Sequence, residues 1–378
     1  MKSELAERLL AEVMRWDPED VKKERPELQA LASYKYDEYQ QFSPGMRFVE
    51  SFGIWLNQFE SDDERTKAYK FIRSDLLYIS ELEMKHFVSI AYPDYIRPYL
   101  INQVGKSLSI PETATKKIIS TKEFRVLLRQ SLFLGLSDGA HIDLFRRANP
   151  LISNEQVWQT YEVPDDRAEK MLSDLSLDLK KILGRELYSE EKKFRNIILL
   201  DDFTASGISY FRKDFEKGEY AGKISTLLNR ITNESSNKED LSRLIDPKDV
   251  NIYILFYVAT EQALKSLRKL INKWLKEKNI LKGCFIRAIQ VIPNEISKNL
   301  KEKEEIIPLL IKYFNNDIID KHYRKGNCER PYLGFNQCAL PLVLYHNTPN
   351  NSIPLLWFGD QNIYKGLFPR VSRHREEI

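Results

Sequence analysis

Asp201 and Asp202 stand side by side behind Ile197-Ile-Leu-Leu200 and ahead of Phe203-Thr-Ala-Ser-Gly-Ile-Ser209. Two adjacent carboxylates repel a phosphate but suit sugar hydroxyls, or a Mg²⁺ ion held directly or through water. The residues after them favour the opposite charge. Thr204, Ser206 and Ser209 bring hydroxyls, and a small-residue turn around Gly207 presents backbone N–H groups to an anion. Four apolar residues before the acids predict a buried strand of a parallel sheet that ends in Asp201 and Asp202. Ile208 to Phe215 reads as a helix, whose N-terminal dipole would add to the attraction. Acids for a diol beside a cradle for a phosphate describe a site for a ribose 5-phosphate. The competing account is an ordinary strand-to-helix turn with an Asp pair capping the helix.

A second turn has similar ingredients. Ser137-Asp-Gly-Ala140 follows an apolar run, Leu132 to Leu136, and precedes a helical stretch, His141 to Ala148. Its N–H groups could bind an anion, with Asp138 needing a Mg²⁺ bridge to tolerate one; a plain helix cap by Ser137 or Asp138 is the alternative. Arg147 is spaced to pair with Asp143 on that helix, and Arg146 could reach an anionic ligand. Near the C-terminus, His346-Asn-Thr-Pro-Asn350 concentrates a histidine and amides in one turn. His346, Asn347 and Asn350 could contact a base or close over a ribose, and the same residues also suit a structural turn. His322, Cys328, Cys338 and His346 lack a paired-cysteine knuckle and are not read as a zinc site.

These turns need a scaffold. Up to about residue 122 the chain reads as a helical domain. Its parts are an apolar face at Leu9, Leu10, Val13 and Met14, a block from Met46 to Gln58, and a helix opened by Ser61-Asp-Asp-Glu64 that runs through Leu76 and Leu77. Glu81 to Ala91 and Tyr95 to Val104 complete it. Tyr34, Tyr36, Tyr39 and Phe42 are read as core or interface. From residue 123 to 378 strands alternate with helices, the sequence form of a parallel α/β sheet with helices on both faces. Asn154 to Tyr161 and Asp166 to Leu183 read as helices and Asn251 to Thr260 as a buried strand. Glu261 to Glu277 reads as another helix, and Cys284 to Pro293 as a further strand. A polar insertion near residues 218–248 is either a lid or a surface excursion. Leu342 to Tyr345 and Leu355 to Phe358 read as short strands of a C-terminal hood.

Composition narrows the class. Hydrophobic residues make up 42% and charged residues 30% of the chain, which is ordinary for a globular protein. Lysine and arginine total 58 against 55 acids, a net charge of +3 that gives no general drive toward nucleic acid. Three scattered cysteines suit a reducing cytoplasm, and the longest apolar runs are too short for a bilayer. The expected location is therefore cytoplasmic, without membrane or direct nucleic-acid partners.

The segment Ile197 to Ser209 closely resembles the 5-phosphoribosyl-1-pyrophosphate (PRPP) signature of type I phosphoribosyltransferases. It departs in Ala205-Ser206, where many members carry two threonines. The resemblance implies that Asp201 and Asp202 hold ribose hydroxyls and Mg²⁺ while Thr204, Ala205, Ser206, Gly207 and Ser209 hold the 5′-phosphate. It also implies that Ser137, Asp138, Gly139 and Ala140 form a pyrophosphate loop. Together with Gly135 to Gly139 and the run from Ala339 to Trp357, the signature is also similar to phosphoribosyltransferase-like effectors of bacterial conflict systems. Some of those are encoded beside retron reverse transcriptases in anti-phage loci. That likeness implies an effector acting at ribose C1 on PRPP or a nucleotide, with His346 catalytic or nearby and the helical domain meeting a reverse transcriptase–nucleic acid complex. The alternatives are a non-catalytic PRPP or nucleotide-binding regulator, and an adaptor subunit of a nucleoprotein complex.

Overall fold

The structure is a computed structural model that describes residues 3–214, 218–231, 241–278, 283–321, 323–327, 329–358 and 364–370. Among these residues the strands are β1 (Leu77–Ile79), β2 (Ser131–Gly135), β3 (Val157–Trp158), β4 (Asn196–Thr204), β5 (Arg212–Lys213), β6 (Tyr220–Ala221), β7 (Asn251–Thr260), β8 (Gly283–Ile292) and β9 (Leu342–Leu344). Two units divide the chain. One runs from Lys85 to Ile292, and the other joins Met1–Met84 to Pro293–Ile378.

The first unit holds a five-stranded sheet in the order β3-β2-β4-β7-β8. Every neighbouring pair is parallel. Nine of the ten residues of β7 are buried, as the unbroken apolar run predicts for a strand covered on both faces. On one face Leu132, Leu134, Ile197, Leu199, Ile252 and Ile254 pack with Met171, Leu175 and Leu179 of the helix Asp165–Leu183. Leu267, Ile271 and Trp274 of the helix Glu261–Lys278 complete that layer. On the other face Phe133 meets Phe145 of the helix Ile142–Ala148, with ring centroids 5.3 Å apart. Tyr253 meets Tyr99 of the helix Arg97–Leu108 at 4.6 Å. Each such buried side chain stabilises the sheet by roughly 1.5–3 kcal/mol.

The division at residue 122 therefore moves. The second sheet face needs a cover, and the helix Arg97–Leu108 supplies it, which places residues 85–122 with the sheet. The C-terminal segment instead joins the N-terminal helices. β9 pairs in parallel with β1, from Leu77 opposite Leu342 to Ile79 opposite Leu344. The indole N–H of Trp55 donates to the Leu355 carbonyl at 3.0 Å. Phe368 sits among Tyr36, Tyr39 and Phe48. Tyr36 and Tyr39 are thus core, whereas Tyr34 is exposed.

Several elements differ from their sequence expectation. The strand before the acids does not stop at Asp202 but continues to Thr204. Residues 208–211 form turns rather than the start of a helix, and β5 then pairs antiparallel with β6. Phe215 lies outside the described residues. Asn154–Gln156 is a single 3₁₀ turn leading into β3, in place of a helix to Tyr161. The helix from Asp62 ends at Asp75, before Leu76 and Leu77. Residues 354–357 form a helical turn instead of a strand, with Pro354 at its first position, where its missing N–H costs nothing. In the polar insertion, Lys223–Ile231 is a helix whose Ile224, Leu227, Leu228 and Ile231 are fully buried, so this part is core and not a lid. The centre of that insertion, Asn233 to Asn237, lies outside the described residues.

Candidate functional site

Residues on a strand alternate between its faces, so the extension of β4 through Thr204 separates the two acids. Asp201 falls on the face of Ile197 and Leu199 and is completely buried. Its Oδ1 accepts a short hydrogen bond from the Ser137 hydroxyl. Its Oδ2 lies 2.8 Å from the Tyr210 hydroxyl and 3.4 Å from Lys223 Nζ. The same Tyr210 hydroxyl is 2.8 Å from the Phe203 carbonyl, and Lys223 Nζ lies 5.0 Å from the Tyr210 ring centroid. Burial and the neighbouring Asp202 push the Asp201 carboxyl up to about 6, against the opposing pull of Lys223, Ser137 and Tyr210.

Asp202 points the other way and is half-buried. Its Oδ1 accepts the Phe203 amide at 2.7 Å. The turn after β2 presses against it, since a Cβ built on Gly139 would lie 2.6 Å from Asp202 Cγ. Only glycine permits that approach. Tyr257, fully buried one strand away, donates its hydroxyl to the Ala140 carbonyl at 2.7 Å. Burial, followed by Asp201 and Asp202, raises that hydroxyl well above its ordinary pKa. Ser137 is committed to Asp201, and Asp138 is exposed.

The turn after β4 is differently made. Thr204, Ala205 and Ser206 are buried, and Gly207 adopts φ +76° with its α-carbon against Leu267. The Ala205 carbonyl accepts the Thr260 hydroxyl at 2.6 Å, which fastens the turn to β7. The amides of Tyr210 and Phe211 return to the Gly207 carbonyl, and that of Ile208 to the Ser206 hydroxyl at 3.3 Å. Among the described residues, the amides of Ser206, Gly207 and Ser209 have no protein acceptor. Ser209 is exposed. Unaccepted backbone donors close to a left-handed glycine are the kind of group that can bind an oxyanion. No helix N-terminus reinforces it, because the next helix begins at Lys223, whose amide bonds to the Ser209 carbonyl at 3.2 Å.

The remaining sequence candidates sit elsewhere in the chain. His346, Asn347 and Asn350 belong to the unit made from the chain ends, in the turn after β9. The Gln41 amide donates to the His346 carbonyl at 2.8 Å, Asn347 pairs through its backbone with Leu344, and Phe335 N–H donates to the Asn350 carbonyl at 2.7 Å. These are the bonds of a turn. Arg147 pairs with Asp143 at 3.7 Å, as its spacing predicts, and Arg146 donates to the Asn154 side chain at 2.8 Å. Cys338 is buried beside Asn351, while His322 and Cys328 lie outside the described residues.

No group of three or more His, Cys, Asp or Glu side chains arranged for a metal occurs among the described residues. The buried, fully engaged Asp201 offers no open oxygen. Asp202 is the more accessible carboxylate, and as an oxygen donor it fits a hard cation such as Mg²⁺. Sequence reading missed Tyr210, Lys223 and Tyr257, the groups that surround the acids. Lys223 carried one usable signal, a cation just before the apolar spacing of Ile224, Leu227 and Leu228.

No described helix is long and apolar enough to cross a membrane. Searches of curated proteins and of solved structures return no significant match. A family model, PRTase-CE, matches residues 52–370 and so takes in the parallel sheet, both turns and most of the second unit. The chain belongs to this phosphoribosyltransferase-like family, PRTase-CE.

Proposed function

We propose that the chain binds the 5-phosphoribosyl group of PRPP or of a nucleotide and acts at ribose C1. The observation that carries this reading is the turn Ser206–Ser209, where three amides around the left-handed Gly207 have no protein acceptor among the described residues, on the same strand end as the half-buried Asp202. In it the 5′-phosphate accepts from the amides of Ser206, Gly207 and Ser209 and from the Ser209 hydroxyl. Asp202 accepts from the ribose hydroxyls. Asp201 acts as a positioning residue that fixes Ser137, Tyr210 and Lys223 rather than as a diol ligand.

Departure of a group from C1 builds positive charge on the sugar ring, and the Asp202 carboxylate stabilises that charge by position alone. Lys223, 3.4 Å from Asp201, is the proposed cation for a leaving pyrophosphate, while the 137–140 turn fixes the acids. Asp202 would be the residue that holds a Mg²⁺ ion, which would supply charge neutralisation for leaving phosphates. The likeness to conflict-system effectors extends the proposal to a role in anti-phage defence beside a retron-type partner, with the N-terminal helices as its contact.

Calorimetric titration with PRPP and Mg²⁺ tests the reading. Micromolar binding is expected, weakened at least about tenfold in Asp202→Asn. Absence of binding by the folded protein overturns it. A second reading, a non-catalytic sensor of PRPP or nucleotides, is favoured by the engagement of Asp201 with Ser137, Tyr210 and Lys223. Binding without release of labelled pyrophosphate or base, alone or with candidate acceptors, would select it.

A further inference from the structure

A cleft of about 670 Å³ opens at the end of β3, between that strand, the helix Ile142–Ala148 and the segment leading to Arg167. Its volume is in the range of small-molecule sites. Two acids and two arginines line it, and their partners decide its charge. Asp143 pairs with Arg147, and Glu162 accepts Arg230 at 2.8 Å; neither Arg147 nor Arg230 lines the cleft. Glu155, whose charge reaches Arg167, is bonded to the Ser153 hydroxyl. Arg146 meets only the neutral side chain of Asn154. Arg167 lies with its guanidinium 5.0 Å from the Trp158 ring centroid, and its buried Nε has no hydrogen-bond partner. The lining acids thus have ion-pair partners outside the cleft, and neither Arg146 nor Arg167 is in an ion pair among the described residues.

We infer that this cleft is a second binding site, for a nucleoside monophosphate. Its phosphate lies between Arg146 and Arg167, and its base packs on the Arg167–Trp158 stack. Guanidinium groups bind phosphate oxygens through paired N–H donors, and an aromatic–guanidinium stack offers a flat, polarisable surface for a base. Gln159 and Thr160 line the same wall and bring polar atoms for the base edge. The cleft is mechanically tied to the site described above. A Cβ on Gly135 would lie 3.0 Å from Ile142 and would overlap the Gln159 carbonyl, so the end of β2 is pressed against both cleft walls. Two residues later Ser137 binds Asp201. A ligand that spreads the cleft therefore pulls on the turn that holds both acids.

The test is calorimetric titration of the full chain carrying Asp202→Asn with AMP, and separately with inorganic phosphate. In that background the proposed phosphoribosyl site, on which the first reading rests, is weakened, and only AMP binding that depends on Arg146 and Arg167 reports on this cleft. Saturable AMP binding is expected, weakened at least about tenfold by a further Arg146→Gln or Arg167→Gln, with inorganic phosphate at least about tenfold weaker than AMP. Should the glutamine variants unfold, Arg167→Lys keeps the charge and removes the planar stack, and it should weaken AMP more than phosphate. No AMP binding by the folded Asp202→Asn protein overturns the inference, as does binding that ignores both arginine substitutions. Equal affinity for phosphate and AMP overturns the nucleoside assignment.

Discussion

The turns after β2 and after β4 are built from similar letters, Ser-Asp-Gly-Ala and Thr-Ala-Ser-Gly, and each follows a buried parallel strand. They do opposite work. The β2 turn spends its groups on the protein: Ser137 on Asp201, Gly139 on the approach to Asp202, and Ala140 on Tyr257. The β4 turn is fastened from behind by Thr260; among the described residues the amides of Ser206, Gly207 and Ser209 have no protein acceptor, and neither do those of Ser137, Asp138 and Gly139 in the β2 turn. One is a clamp on the acids and the other a cradle. A small-residue turn after a strand thus does not by itself define a ligand site; what distinguishes these two is that the β2 turn is packed against the acids through Ser137 and Gly139.

The sharpest way to break this contrast is Gly207→Val. At φ +76° a β-branched side chain is strained, and its Cβ would stand 3.0 Å from Leu267 Cγ. The expected result is a stability loss of about 2–4 kcal/mol in chemical denaturation. Phosphoribosyl binding should weaken by about a hundredfold or more. Unchanged binding in a folded variant would remove the cradle from the account.

A second test separates the acids by pH. The Asp201 carboxyl is raised from an ordinary 3.8 to about 6 in the folded chain. Between those values the folded state keeps a proton that the unfolded chain has released. The stability contributed by this group is therefore complete below about pH 4 and is lost as pH rises through 6. Asp201→Asn should gain on the wild type over that interval, by on the order of 2 kcal/mol at pH 7.5 and by little at pH 4. Denaturation at both pH values checks it. Wild-type stability relative to Asp201→Asn that increases from pH 4 to 7.5 would show that Lys223 and Tyr210 hold Asp201 ionised.

What could be read from the sequence follows the range of the interactions. β7 was legible because ten consecutive residues carry one message. The helix from Asp62 was legible because its capping box is local: Ser61 accepts the Glu64 amide at 3.2 Å and Glu64 reaches back to Ser61. The region after Gly207 was not, since Ile208, Tyr210 and Phe211 mimic a helix face. Their placement is fixed by the Tyr210 hydroxyl at Asp201 and by two amides turning back to Gly207. β3 is only two residues long and owes its existence to β2. β9 was legible in the apolar run Leu342 to Tyr345, whereas its partner β1 reads as the end of the preceding helix. Within the site, the acids and the glycine turns were found by type and order. Their division of labour was not, because one extra turn of strand alternation, out to Thr204, sends Asp201 inward and Asp202 outward.

The smallest expected effect tests whether the clamp is held from outside. Tyr257→Phe removes only a hydroxyl, in a fully buried position, and leaves the Ala140 carbonyl without its 2.7 Å partner. A stability loss of about 1–2 kcal/mol is expected from that unsatisfied acceptor. Binding at the β4 turn should change by less than about threefold, because none of the cradle's donors depends on this bond. Loss of binding comparable to that of Gly207→Val would mean that the β2 turn contributes donors of its own, and the distinction between clamp and cradle would fall with it.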